Sequence, residues 1–365
     1  MTARRITFVI SSLAMGGAER VMTTMANHWA TAGAAISLIT LTPRETAPGY
    51  RLDERVARVG LGRAQPSQTP LHAAWRNLDR ILALRTAILR TRPDVVISFM
   101  DTTNIVTLLA TRGLGLPVIV AEHTDPGLKR MHPVWTRLRL ATYPRATRLV
   151  VLGESSKTYF PPSIQQRTQI IPNPVAISPS TSPVAQSSRP HIAAMGRFGP
   201  EKGFDQLITA FATIAPKFPT WDLVIWGDGP LRPELERHRD ELGLHQRILL
   251  PGLTTAPHDV LREAAIFALS SRREAFPMVL AEALACGLPA VAVNISSAIP
   301  HILRDGIDGY LVPSGDMPAF AASLASLMAD DVCRQSMARR APEVLDRYGV
   351  EPVMRIWDEL IEDVC

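Results

Sequence analysis

Glu274 and Glu282 stand out because the stretch from Ala275 to Pro300 holds no charged residue other than Glu282. A carboxylate in so apolar a run needs a partner. Pro277 suits the first turn of a helix and Gly287 its C-terminal cap, which puts Glu274 in the preceding loop and Glu282 within the helix. Two carboxylates so placed can address different parts of one ligand. Each accepts paired hydroxyl hydrogen bonds, about 1.5–3 kcal/mol for a charged hydrogen bond, as a ribose diol or sugar hydroxyls would offer. A structural ion pair at Glu282, with Glu274 solvated in its loop, satisfies the same pattern.

Upstream, Gly196-Arg197-Phe198-Gly199-Pro200-Glu201-Lys202-Gly203 lies between an apolar run and a helical pattern. Arg197 and Lys202 can both reach a diphosphate, the glycines allow close backbone approach, and a helix N-terminus adds its positive field. The GxxxxGK[ST] pattern of a triphosphate-binding loop is absent. Gly227-Asp228-Gly229-Pro230 repeats the theme of a glycine turn after a strand. Near the start, Gly16-Gly17 follows the first apolar run, where backbone amides can meet a phosphate. His123, in Ala121-Glu122-His123-Thr124-Asp125, ends another apolar run. Taken singly, each of these is equally a turn, a solvated cation or a structural histidine.

Such residues need a scaffold. Ile6 to Ser11 reads as a buried strand and Glu19 to Trp29 as an apolar-periodic helix, followed by a strand from Ile36 to Leu41. This is a right-handed parallel unit, whose ligands bind at strand carboxyl ends. Further strands are expected at residues 95–98, 118–121 and 149–152, giving a first α/β domain over residues 1–175. Residues 176–190 are polar and proline-rich and read as a linker. A second series, with strands from residue 191 and at 223–226, 266–269 and 290–293, defines a domain over 191–348. The fold class is therefore α/β, two Rossmann-like doubly wound domains facing a cleft.

The length of 365 residues agrees with two domains. Three cysteines without CxxC spacing suggest neither a disulfide framework nor a zinc site, and so a reducing, cytoplasmic setting. No run is long and apolar enough to span a membrane, and Met1 to Arg5 leads into no cleavable signal. Charge is uneven: residues 1–180 carry 22 Lys+Arg against 10 Asp+Glu, and residues 181–365 carry 17 against 24. The two halves thus face different partners.

In their order the segments resemble family 4 of the retaining glycosyltransferases over nearly the whole chain. The resemblance is carried by Met15-Gly16-Gly17-Ala18-Glu19-Arg20, Ala121-Glu122-His123, Ile171-Pro172-Asn173-Pro174, Gly196-Arg197 with Lys202-Gly203, and Glu274-x7-Glu282 followed by Ala283-Leu284-Ala285-Cys286-Gly287-Leu288-Pro289. It implies a GT-B fold with a nucleotide sugar held by the C-terminal domain and the acceptor by the N-terminal one. It also implies that residues 349–365 form a helix crossing back to the N-terminal domain. Glu282 would hold the ribose, Arg197 and Lys202 the diphosphate, and Gly16 and Gly17 the distal phosphate. Glu274, on the sugar hydroxyls, and His123, near the sugar, would be the catalytic pair. With no Asp-x-Asp present, no metal is expected, and no cofactor beyond the nucleotide sugar as co-substrate. One departure is His301, where many relatives carry glutamate, in a loop bordering the donor.

The expected activity moves a hexose or N-acetylhexosamine from a nucleotide diphosphate, with uridine as base, to a glycan or lipid-diphosphate-linked acceptor in polysaccharide or glycoconjugate biosynthesis. A sugar-nucleotide epimerase, or a non-catalytic sugar-nucleotide-binding assembly subunit, are the alternatives, separated by product analysis. The basic first half includes Arg76, Arg80, Arg85 and Arg90, then Lys129, Arg130, Arg137, Arg139, Arg145 and Arg148 interleaved with Trp135, Leu138, Leu140 and Tyr143. This suggests a surface for the inner membrane or a lipid-diphosphate acceptor; an arginine-rich solvated face is the alternative. No nucleic-acid reading module is recognisable, so no nucleic acid is expected as a partner.

Overall fold

The computed structural model describes residues 4–65, 70–127, 131–178 and 189–365. The chain divides into two compact units, residues 1–174 with 350–365, and residues 175–349.

In the first unit, continuous apolar runs form strands β1 (Arg5–Ile10), β2 (Ala35–Thr40), β4 (Val95–Phe99), β5 (Val118–Ala121) and β6 (Arg148–Val151), with β3 (Ala57–Gly60) and β7 (Thr168–Ile170) outside them. All seven are parallel, in the order β3-β2-β1-β4-β5-β6-β7. Helices α1 (Gly17–Thr31), α2 (Pro70–Thr91), α3 (Asp101–Ala110) and α4 (Pro133–Thr142) belong to this unit. Helix α2 packs through Leu84, Ala87 and Ile88 into the core formed with Val96, Ile105 and Val120.

The second unit repeats the plan. Strands β8 (His191–Met195), β9 (Asp222–Trp226), β10 (Ile248–Gly252), β11 (Ile266–Leu269), β12 (Ala290–Asn294) and β13 (Gly309–Pro313) form a parallel sheet in the order β10-β9-β8-β11-β12-β13. Its core gathers Phe198, Phe211 and Leu223 with Val291, Phe320 and Leu324.

The boundary between the units falls at Pro174 and Val175. Residues 176–178 are tied to the second unit, because the Ser178 amide donates to His258 Nδ1 at 3.1 Å. Residues 179–188 of the expected linker 176–190 lie outside the described residues, as do Lys129 and Arg130. The terminal helix Val350–Val364 packs on the first unit: Trp29 Nε1 donates to Asp358 at 2.7 Å, Trp29 and Trp357 meet edge to face, and Arg148 pairs with Asp363. Five of that helix's residues are acidic, so the first unit carries 23 Lys+Arg against 15 Asp+Glu, a smaller excess than in residues 1–180.

The expected basic surface is also corrected in its membership. Arg139 and Tyr143 are buried in the first unit, and Arg148 is held by Asp363. Arg137 and Arg145 are exposed. The alternating arginines of α4 point to different environments because a helix turns 100° per residue.

Candidate functional site

In a doubly wound sheet the crevice for ligands opens at the carboxyl ends of the strands where the strand order reverses. In the second unit that point lies between β8 and β11. The loop after β8 carries Arg197 and Lys202, and the loop after β11 carries Ser270 to Glu274, so topology brings together residues separated by about 70 positions in sequence.

Gly203 fixes how closely they meet. It adopts a left-handed backbone (φ 63°, ψ 29°) as N-cap of the helix Phe204–Ile214. A Cβ there would stand 2.3 Å from the Ser270 carbonyl oxygen, so only glycine allows the two loops to touch. Lys202 Nζ then donates to Glu274 Oε1 at 2.6 Å, and Ser271 Oγ donates to the same oxygen at 2.8 Å. Ser270 Oγ bonds the Lys202 carbonyl at 3.1 Å. Arg272 braces the arrangement from outside, with two hydrogen bonds to Asp205 and one to the Pro200 carbonyl. Burial and this guanidinium act oppositely on Asp205; the hydrogen bonds from Arg272 win and hold its carboxyl below the usual range.

The other candidates of this unit are placed differently. Arg197 is exposed and makes no side-chain hydrogen bond or ion pair among the described residues. Glu282 is 2% exposed, on the helix Met278–Ala285. Pro277 sits at that helix's N-cap, and Gly287 ends it with φ 87°, its amide bonding the Leu284 carbonyl. Gly227-Asp228-Gly229-Pro230 is a structural clasp: a Cβ on Gly227 would stand 1.9 Å from the Gly196 carbonyl oxygen, and Asp228 is taken up by the Gly229 amide and Arg232. His301 is exposed in a short helix after β12.

In the first unit the order reverses between β1 and β4. Gly16 is the N-cap of α1 with extended backbone, and Gly17 is its first residue. No protein atom crowds a Cβ on Gly17, and on Gly16 only the flexible Glu19 carboxylate does. Packing alone therefore does not demand glycine at 17. Glu19 folds back over the helix start, as the carboxylate of a capping box does.

His123 follows β5 and lies against Phe99, ring centroids 4.1 Å apart. The residue keeps part of its surface, yet both ring nitrogens are enclosed and make no hydrogen bond of good geometry. Burial pushes its imidazole down to about 4, against an opposing pull from Asn173. The ring is thus neutral near pH 7.

This gives a pH signature. Between its ordinary value near 6.5 and the folded value near 4, the unfolded chain holds the proton and the folded one does not. Stability therefore falls as pH drops through that window, by on the order of 3 kcal/mol for this one group. His123→Phe should flatten that part of the profile. Urea midpoints of both proteins at pH 7 and pH 4.5 check it; equal losses on acidification would remove His123 as the cause.

Sequence reasoning missed the network behind His123. Glu122 accepts a short hydrogen bond from the Tyr143 hydroxyl, and Arg139 Nη1 stands 3.7 Å from the same oxygen, both charged side chains being 2% exposed. Arg139 also donates to the Tyr159 hydroxyl at 2.9 Å and lies over the Tyr159 and Phe160 rings. Burial first, then the Glu122 charge, keeps the Tyr143 phenol well above its ordinary value, a neutral donor. The one signal in the sequence is Glu122 directly after an apolar run, which demands a buried partner without naming it.

Comparison with known proteins agrees with these two units. A solved Anabaena protein, HepE, in complex with UDP and glucose superposes with a TM-score of 0.80 at 18% identity, covering 99% of this chain and 100% of that one. The fold is that of the two-Rossmann-domain, GT-B glycosyltransferases. The family model "Glycosyltransferase Family 4" matches residues 15–178 and "Glycosyl transferases group 1" matches residues 181–344. The chain belongs to glycosyltransferase family 4 and is a glycosyltransferase. It is 28% identical over 362 residues to a Campylobacter jejuni enzyme named GalNAc-alpha-(1→4)-GalNAc-alpha-(1→3)-diNAcBac-PP-undecaprenol alpha-1,4-N-acetyl-D-galactosaminyltransferase, with 99% of each chain covered. It is 24% identical to the amylovoran biosynthesis glycosyltransferase AmsD of Erwinia amylovora, covering 95% of this chain and 96% of that one.

Proposed function

We propose that the chain transfers a hexose or N-acetylhexosamine, with retention of configuration and without a metal, from a uridine diphosphate sugar to a glycan or lipid-diphosphate-linked acceptor. The observation that carries this reading is the Lys202–Glu274 contact at the strand-order reversal of the second unit. It sets a cation suited to a diphosphate beside a carboxylate suited to sugar hydroxyls. Arg197 adds a second, uncommitted cation on the same loop. The uridine and the lipid-linked acceptor are supported by relatives whose names carry UDP and PP-undecaprenol.

In this reading Arg197 and Lys202 stabilise charge on the departing diphosphate, the largest contribution the protein makes. The leaving phosphate assists removal of the acceptor proton on the same face of the sugar. Glu274 orients the sugar, Glu282 takes the ribose, Gly16 and Gly17 take the distal phosphate, and His123 offers a neutral ring to the sugar. His301 replaces the family's glutamate in the donor loop and so bears on which sugar is accepted. The transfer takes place in the cytoplasm and serves polysaccharide or glycoconjugate biosynthesis.

A binding and hydrolysis screen across UDP-, GDP- and ADP-sugars, followed by an acceptor search, tests this. UDP-sugars should bind, and Glu282→Ala should weaken them by about tenfold or more, as expected when hydrogen bonds to a charged group are lost. Preference for GDP or ADP, or a product of inverted configuration by NMR, would overturn the corresponding part.

A further inference from the structure

A single residue of the loop after β11 grips the loop after β8 on both sides of Lys202. The Arg272 amide donates to the Glu201 carbonyl at 2.7 Å, and its guanidinium donates to the Pro200 carbonyl at 2.9 Å. The same guanidinium donates to both carboxylate oxygens of Asp205, at 2.8 and 2.6 Å. Pro200 and Glu201 stand just before Lys202 in a short 3-10 turn, and Asp205 stands just after it in the first turn of the helix Phe204–Ile214. On the other loop, Ser271, next to Arg272, donates to Glu274 Oε1. Lys202 and Glu274 therefore extend from two loops that one side chain ties together.

As a stability device this pair is poorly placed. Its side chains are 36% and 49% exposed, a setting in which ion pairs contribute little. As a positioning device it is well made. A planar guanidinium on a carboxylate, two bonds in parallel, fixes direction as well as distance. The lysine stem is flexible, so the place of its ammonium depends on how firmly the backbone beneath it is held. Arg273, one residue on, offers a contrast: it is exposed and makes no side-chain hydrogen bond or ion pair among the described residues.

We propose that Arg272 and Asp205 are positioning residues for sugar transfer, holding the backbone of Lys202 where its ammonium meets both Glu274 and the departing diphosphate. The inference rests on the role given to Lys202 above. Both residues act through the segment that carries Lys202, and neither is assigned a contact with the reacting atoms. A reacting group displaced by 1 Å loses about 10²-fold in rate, so a loosened clamp should show as lost turnover.

The experiment is steady-state hydrolysis of UDP-N-acetylgalactosamine by the full chain, with melting curves. Arg272→Met and Asp205→Ala should each lower kcat by about tenfold or more and change KM by about threefold or less, because the cation acts chiefly in the transition state. Melting temperatures should move by about 4 °C at most, as expected for a part-exposed pair. If one variant melts earlier than that, the other decides the matter. Arg272→Lys, which keeps the charge without the fork, should recover part of the rate. Arg273→Met should stay within about twofold of wild type; a loss equal to that of Arg272→Met would show an effect of local charge and overturn the proposal. The decisive step combines variants: in a Lys202→Met background Arg272→Met should cost about twofold or less, since residues acting as one unit are not additive. A further tenfold loss there would overturn the proposal, as would wild-type kcat in Arg272→Met. Undiminished turnover by Lys202→Met would sink the functional reading and the clamp with it, whereas an impaired Lys202→Met beside a normal Arg272→Met would sink the clamp alone.

Discussion

Lys202→Met is expected to reduce sugar transfer by about 10²–10³-fold, the loss typical when one group stabilising transition-state charge is removed. The substitution keeps the length and apolar stem of the side chain and deletes only the ammonium that stands 2.6 Å from Glu274. Its effect should appear mainly in kcat, because charge on the diphosphate is greatest as the bond to the sugar breaks. Folding should be little changed. The pair is partly exposed, a setting in which an ion pair contributes about 1 kcal/mol or less, and Ser271 still anchors Glu274. Lys202→Arg, which keeps the charge but not its point geometry, should recover part of the rate. Steady-state kinetics with a melting curve read all of this together, and undiminished transfer by Lys202→Met would remove Lys202 from the reaction centre.

The second large effect concerns stability. Arg139→Met should destabilise the first unit by about 3–5 kcal/mol, because it strands the Glu122 charge in a buried site. That corresponds to a fall in melting temperature of roughly 10 °C. The hydrogen bond from the Tyr143 phenol to the carboxylate would remain, without the guanidinium charge beside it. Arg139→Met/Glu122→Gln removes both charges and should restore at least half of the loss, the non-additivity expected of groups in contact. Urea denaturation of the two single variants and the double variant gives the coupling directly. A single variant within about 1 kcal/mol of wild type would show that the buried guanidinium is not needed to satisfy Glu122.

These two cases differ in how far they were readable in advance. Lys202 and Glu274 were each legible as candidates, one from a glycine-flanked basic loop and one from a charge-poor stretch. Their contact was not, since it depends on β8 and β11 lying side by side and on Gly203 permitting the approach. Arg139 was misread as a surface cation because neighbouring arginines on α4 share a composition and not an environment. Which face of α2 packs on the core, through Leu84, Ala87 and Ile88, and which is left exposed, at Leu78, Leu82 and Leu89, was likewise decided only by the fold.

The strands show the same division. Those found from the sequence, β1, β2, β4, β5, β6, β8, β9, β11 and β12, are strongly apolar runs from the interior of the sheets. Those missed, β3, β7, β10 and β13, are the four sheet edges, where half-exposed residues break the apolar run.

By itself, then, the sequence determined what depends on local pattern: two α/β series, the loops that carry Gly16, Gly17, His123, Arg197, Lys202, Glu274 and Glu282, and the family. Tertiary structure alone decided which charges meet, Lys202 with Glu274 and Arg139 with Glu122, and that the ring nitrogens of His123 are enclosed. The reason is physical. Periodicity records whether a residue faces a core, whereas the partner of a charge is set by strand order and close approach between segments far apart in the chain.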